Sequence, residues 1–216
     1  MTGVRIVHHG HACVLVDTGS ARLLFDPGTL STGFEELRDL DAILVTHQHF
    51  DHLDPERLPA LVAVNPTAAL VVDPGSVAEV EKLGLTARQV LAGDTLTLGG
   101  ASVAVLGGEH AVIHPDVPTV PNVGYLVDEG AFYHPGDSLV VPERPVDVLG
   151  LPTAAPWLKV VEAVEFMRSV APRVATPIHQ GLLNEQGLRV TYGWFERMAP
   201  EGTELRPLTP LEPTEP

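Results

Sequence analysis

Three histidines and one aspartate fall within six consecutive residues, His47-Gln48-His49-Phe50-Asp51-His52, and side chains of these types bind divalent metal ions. Imidazole nitrogen and carboxylate oxygen together suit zinc, manganese or iron, with zinc the leading expectation. His47 and His49 can turn toward one ion, while Asp51 and His52 can hold a second from the other side of the same loop. Two cations so close together can share a water, lower its pKa and polarise the oxygen of the bond it attacks, which is the chemistry of metal-assisted hydrolysis. Asp51 is then the candidate catalytic residue, both as ligand and as the acceptor that orients the nucleophile. No Gly-x-Ser-x-Gly element and no phosphate-cradling glycine-rich loop points to another mechanism.

Such ligands need rigid elements on both sides. Asp41 to Thr46 is a short, branched apolar run that reads as a buried strand ending where the ligands begin. Asp54, Pro55 and Glu56 supply an N-cap, a first-turn proline and a first-turn acid, so a helix is expected over Asp54 to Val62. Further strands are expected at Val4–His8, Cys13–Asp17, Arg22–Asp26, Ala69–Val72, Thr95–Leu98, Ala101–Leu106, Val123–Val127, Ala131–His134, Val146–Leu149 and Arg173–Ala175. Further helices are expected at Ser76–Leu83, Leu158–Val170 and Asn184–Met198. Two sheets with helices on their outer faces and loops converging along one edge satisfy this alternation.

Thr46 to His52 resembles the metal-binding signature of the metallo-β-lactamase superfamily, and the resemblance extends through most of the chain. It implies an α/β fold, a four-layer αββα sandwich, and three further ligands. His110, in Gly107-Gly108-Glu109-His110, matches the third ligand of the first site. Asp137, in His134-Pro135-Gly136-Asp137-Ser138, matches the carboxylate that bridges the ions. His179, in Thr176-Pro177-Ile178-His179, matches the remaining ligand of the second site. His9-Gly10-His11-Ala12, Leu23 to Gly28 and Leu151 to Trp157 are similar to the compact metal-dependent hydrolases related to L-ascorbate-6-phosphate lactonase. That branch implies a small ester, lactone or phosphodiester as substrate. Di-iron redox enzymes share the scaffold, but Gln48 stands where flavodiiron proteins use an acidic ligand, and no flavin domain accompanies it. A non-catalytic metal-binding protein is the third reading, disfavoured by seven filled ligand positions.

Composition narrows the rest. With 216 residues, 44% hydrophobic and 19% charged, the chain is expected to form one domain, with halves near 1–94 and 95–216 and a tail over 200–216 that supplies one short edge strand and is otherwise frayed. The formal net charge of −15 disfavours nucleic acid as partner, and apolar runs broken at sites such as Asn65-Pro66 disfavour a membrane span. A single cysteine, Cys13, and the absence of a leader-like start point to the cytoplasm. A small-molecule substrate is expected, and a homo-oligomer is compatible with the sequence.

Imidazoles are more numerous than two ions need. His11, Asp26 and His134 are candidates for orienting a metal-bound histidine or touching substrate, whereas His8, His9 and His114 receive no assigned role. Ala111 to Asn122 and Leu151 to Lys159, the latter with Trp157, are the expected pocket walls.

Overall fold

In the computed structural model, which describes residues 3–216, the strands assemble into two mixed sheets. The first runs β1 (Arg5–His8), β2 (Val14–Asp17), β3 (Arg22–Phe25), β4 (Ala42–Val45), β5 (Ala69–Val72) and β6 (Arg88–Gln89), in spatial order β1-β2-β3-β4-β5-β6. β1 to β3 pair antiparallel and β3 to β6 parallel. The second contains β7 (Thr95–Leu98), β8 (Ala101–Glu109), β9 (Pro121–Val127), β10 (Phe132–His134), β11 (Val148–Pro152), β12 (Val174–Ile178) and β13 (Glu204–Leu205), in order β13-β12-β11-β10-β9-β8-β7.

Side-chain alternation divides the apolar residues among three layers. Phe25, Leu44, Val71, Tyr125 and Phe132 fill the space between the sheets. Leu24, Ile43 and Val72 face the other way, joining Leu58, Leu61 and Val80 from α1 (Leu58–Val64) and α2 (Val77–Lys82). Leu126, Tyr133 and Leu149 do the same on the second sheet, against α3 (Val160–Val170) and Phe195 of α4 (Glu185–Met198). The result is the expected αββα sandwich. Truncating Phe25, fully buried at the centre, should cost about 3–5 kcal/mol.

Three local features differ from the sequence expectation. The helix expected from Asp54 begins regularly at Leu58. Asp54 still caps the preceding turn, its Oδ1 accepting from the N–H groups of Glu56 and Arg57 at 2.8 and 3.0 Å. The two-residue strand β6 lacks an apolar run and escapes a periodicity reading. Residues 200–216, expected to fray beyond an edge strand, supply β13 and then return along β1, where Leu211 N–H donates to His8 O and Ile6 exchanges two backbone bonds with Thr214. No helix among the described residues is long and apolar enough to cross a membrane.

The carboxyl ends of β3, β4, β8, β10 and β12 open on one edge of the sandwich, and each is followed there by a candidate site residue. Two cross-sheet bonds hold that edge together. Val123 N–H donates to Thr46 O at 2.9 Å, and the Tyr125 hydroxyl donates to Val45 O at 2.8 Å.

Candidate metal centre

β4 ends at Val45, and Thr46 fixes the start of the ligand loop. Its N–H and hydroxyl both donate to Asp26, at 2.7 Å each. Because that hydroxyl proton is committed to Asp26, the contact of 3.0 Å between Thr46 Oγ1 and His47 Nδ1 is a bond donated by the imidazole. His47 therefore carries its proton on Nδ1 and presents the Nε2 lone pair to the loop interior.

The same logic applies to three more histidines. Nδ1 of His52 lies 2.6 Å from Asp26 Oδ2, that of His110 lies 2.5 Å from Ala111 O, and that of His179 lies 2.7 Å from Ala154 O. Each acceptor fixes the Nδ1–H tautomer and aims Nε2 inward, the arrangement by which outer partners orient metal-ligating imidazoles. The Nε2 atoms of His52, His110 and His179, together with Asp137 Oδ1, are buried without a hydrogen-bond partner. Asp137 Oδ1 nevertheless stands 3.1 Å from His52 Nε2 and 3.2 Å from His179 Nε2, and its Oδ2 stands 3.3 Å from His110 Nε2. Close to one another but misaligned for hydrogen bonding, these atoms gather around the Asp137 carboxylate without partners. Orphaned buried lone pairs of this kind fit a cation.

Two donor clusters result. His47, His49, His110 and Asp137 form one, and His11, Asp51, His52 and His179 the other, with the donor atoms of each within 4.8 Å of one another. His49 offers Nδ1, which lies 3.0 Å from His47 Nε2. The seven residues named as ligands from the sequence are thus brought together, with His11 as an eighth member in the second cluster and Asp137 facing both.

Electrostatics match this geometry. Burial opposes ionisation of Asp137, but the positive imidazoles of His52 and His179 outweigh it and hold the carboxyl well below its usual range. Burial likewise opposes ionisation of Asp51, and hydrogen bonds from His11 and His179 overcome it, so Asp51 also stays anionic. His179, despite desolvation, is raised to about 9 by Asp137 and Asp51, so without an ion a proton takes the place on Nε2 that a bound cation would displace. Burial keeps His47 and His49 below the ordinary imidazole value and so neutral, the form that donates a lone pair.

The remaining candidates separate. Asp26, at φ 45°, sits directly after β3, and its fully buried carboxylate takes the protons of Thr46 and His52. His11, at φ 49°, lies at the second cluster. His134 does not reach the pocket: it is fully buried, its Nε2 donates to Ala12 O at 2.8 Å, and its ring stacks on Phe25. His8 donates to His11 O, His9 pairs with Thr32 O, and His114 is exposed.

Several supporting residues carry no sequence signal of their role. Trp157 Nε1 donates to Asp137 Oδ2 at 2.8 Å, and Asn122 Oδ1 accepts from the Asp137 N–H at 2.9 Å. Gly28 lies directly against the Asp51 backbone, where any Cβ would collide with the Asp51 carbonyl. A pocket of about 240 Å³ opens over Asp51 and Asp137, with Trp157 and Ile113 from the expected walls and Leu30, Phe50 and Leu182 from elsewhere.

The β-lactamase superfamily domain model matches residues 5–179. The Mycobacterium tuberculosis protein Rv0786c is 46% identical over 208 residues, spanning 94% of this chain and 97% of that one. A protein named UPF0173 metal-dependent hydrolase from Thermoplasma volcanium is 28% identical, spanning 82% and 83%. The Bacillus subtilis metallo-β-lactamase fold protein YhfI superposes with a TM-score of 0.72 at 17% identity, over 100% of both chains. Fold, donor geometry and family match agree, and the chain belongs to the metallo-β-lactamase superfamily.

Proposed function

We propose that two divalent ions, held by His47, His49 and His110 and by Asp51, His52 and His179 with Asp137 between them, serve hydrolysis of a small ester, lactone or phosphodiester. That the chain is a metal-dependent hydrolase follows from its family and its donor set. The observation that carries the finer reading is the convergence of three orphaned Nε2 atoms on the two oxygens of one buried carboxylate. Zinc suits these donors best, with manganese and iron as alternatives. When bound, such ions lower the pKa of water and polarise the oxygen of the scissile group.

The chain's own groups do the rest. Asp51 lines the pocket, where its carboxylate can accept the nucleophile's proton. His11 and Trp157 hold the two carboxylates in place, each by one N–H bond. Phe50 and Leu182 flank the opening and limit water access to the reacting bond. The acidic surface, with a formal net charge of −15, supports a small-molecule substrate over nucleic acid. The lone buried thiol of Cys13 supports a cytoplasmic setting.

The test is metal analysis of purified protein, followed by a hydrolase panel on protein loaded separately with zinc, manganese and iron. The expected result is close to two ions per chain and turnover of a small ester, lactone or diester. Stoichiometric single-ion binding with full activity would remove the two-ion reading.

A further inference from the structure

Resting on that hydrolase reading, we infer that the substrate is an uncharged ester or lactone carrying a short aliphatic chain, which lies across the apolar rim of the metal pocket. Beyond the ligands themselves, the pocket is lined by Leu30, Phe50, Ile113, Pro156, Trp157 and Leu182. Phe50 and Leu182 are 63% and 60% exposed, an unusual degree of exposure for two large apolar side chains that line one pocket. Clustered apolar exposure at a concave site marks a surface that is covered when ligand binds.

Charge argues the same way. No lysine or arginine among the described residues lines this pocket. On the Phe50 side, Arg57 is committed to Asp54, Glu35 and the carbonyls of Ser31 and Gly28. Beside Trp157, Lys159 is paired with Glu162. Two divalent ions set against the carboxylates Asp26, Asp51 and Asp137 would leave one surplus positive charge, short of the roughly two negative charges of a phosphate monoester. A phosphate monoester would therefore lack the cationic clamp such groups ordinarily receive. The volume, about 240 Å³, lies below the roughly 300–1,000 Å³ of pockets for drug-sized ligands, so the chain is short.

Trp157 provides a reporter independent of turnover. In a Trp194→Phe background, its fluorescence is titrated with straight-chain alcohols from ethanol to octanol, using metal-free protein. In parallel, metal-loaded protein is assayed on p-nitrophenyl acetate, butyrate, hexanoate and octanoate and on bis(p-nitrophenyl) phosphate. Affinity and kcat/KM should both rise, roughly two- to fourfold per methylene, until the chain leaves the rim. Phe50→Asn and Leu182→Asn alter exposed positions, which spares the core, and each should lower the octanoate-to-acetate ratio at least several-fold. Affinity that stays flat with chain length, or diester turnover outpacing every carboxylic ester, would overturn the inference while leaving the hydrolase intact. A rising affinity without turnover of any ester or diester would instead overturn the hydrolase reading.

Discussion

His11 and Asp51, forty positions apart, are joined by a bond of 3.0 Å between His11 Nε2 and Asp51 Oδ2. The direction of this bond is fixed from behind. Gly181 N–H donates to His11 Nδ1 at 3.1 Å, so that nitrogen is an acceptor and the ring proton resides on Nε2. A nitrogen that carries the proton has no lone pair for an ion. Although His11 stands within the second donor cluster, its tautomer makes it a positioning residue for Asp51 rather than a further ligand. Burial reinforces this by lowering its pKa, against the pull of Asp51, so the neutral imidazole persists.

Replacing His11 with Ala should leave both ions bound and lower kcat by about 10–100-fold, the usual range for losing a partner that orients a ligand. His11→Gln can donate through its amide nitrogen and accept Gly181 N–H through its oxygen, and it should recover much of the loss. Metal content and kcat measured together decide the point. Loss of an ion in His11→Ala would mean that the imidazole ligates after all.

Asp51→Asn keeps size and shape but removes the anionic oxygens that serve as ligand and proton acceptor. The thermal midpoint of the metal-free protein should move little, while turnover should fall by about 100-fold or more. Unchanged turnover at full metal occupancy would remove Asp51 from the mechanism.

Asp26 reaches the centre through two other residues, holding His52 Nδ1 at 2.6 Å and the Thr46 hydroxyl at 2.7 Å. Asp26→Ala releases both, freeing the His52 ring and leaving the Thr46 hydroxyl to compete for His47. Metal affinity should drop about 10–100-fold, and calorimetric titration would measure it. Affinity within twofold of the parent protein would show that packing alone orients the rings.

The ligand run was legible because its members share one loop and their spacing survives in the sequence. The sandwich was legible because short continuous apolar runs such as Leu23, Leu24 and Phe25 mark strands buried on both faces, with Leu24 toward the helices and Leu23 and Phe25 toward the other sheet. The His11 bond was not, since its partner comes from another loop and its tautomer depends on Gly181. His134 shows the converse. Three positions before Asp137 in the chain, it sits two residues after Phe132 on the same face of β10, so the strand turns its ring into the layer between the sheets and not toward the pocket. Phe50 and Leu182 look like ordinary apolar residues, and only the fold sets them around one opening.

Asp73 gives the fold a pH dependence separate from the metal ligands. It follows β5 and is fully buried, accepting from Gly75 N–H at 2.8 Å and from the N–H and hydroxyl of Ser76. Burial raises its pKa from 3.8 to about 6, a rise that these donors only partly offset. A carboxyl raised in the folded state favours the fold in its neutral form. Its contribution is complete below the unfolded value of 3.8 and is lost as pH climbs through about 6. The loss is at most about 2–3 kcal/mol between these limits. Asp73→Asn stays neutral throughout, at the expense of one acceptor oxygen. The stability of the parent protein relative to Asp73→Asn, from urea denaturation of metal-free samples, should therefore decline as pH rises from about 4 to 7. Two curves that stay parallel over that range would show that Asp73 titrates as it does in the unfolded chain.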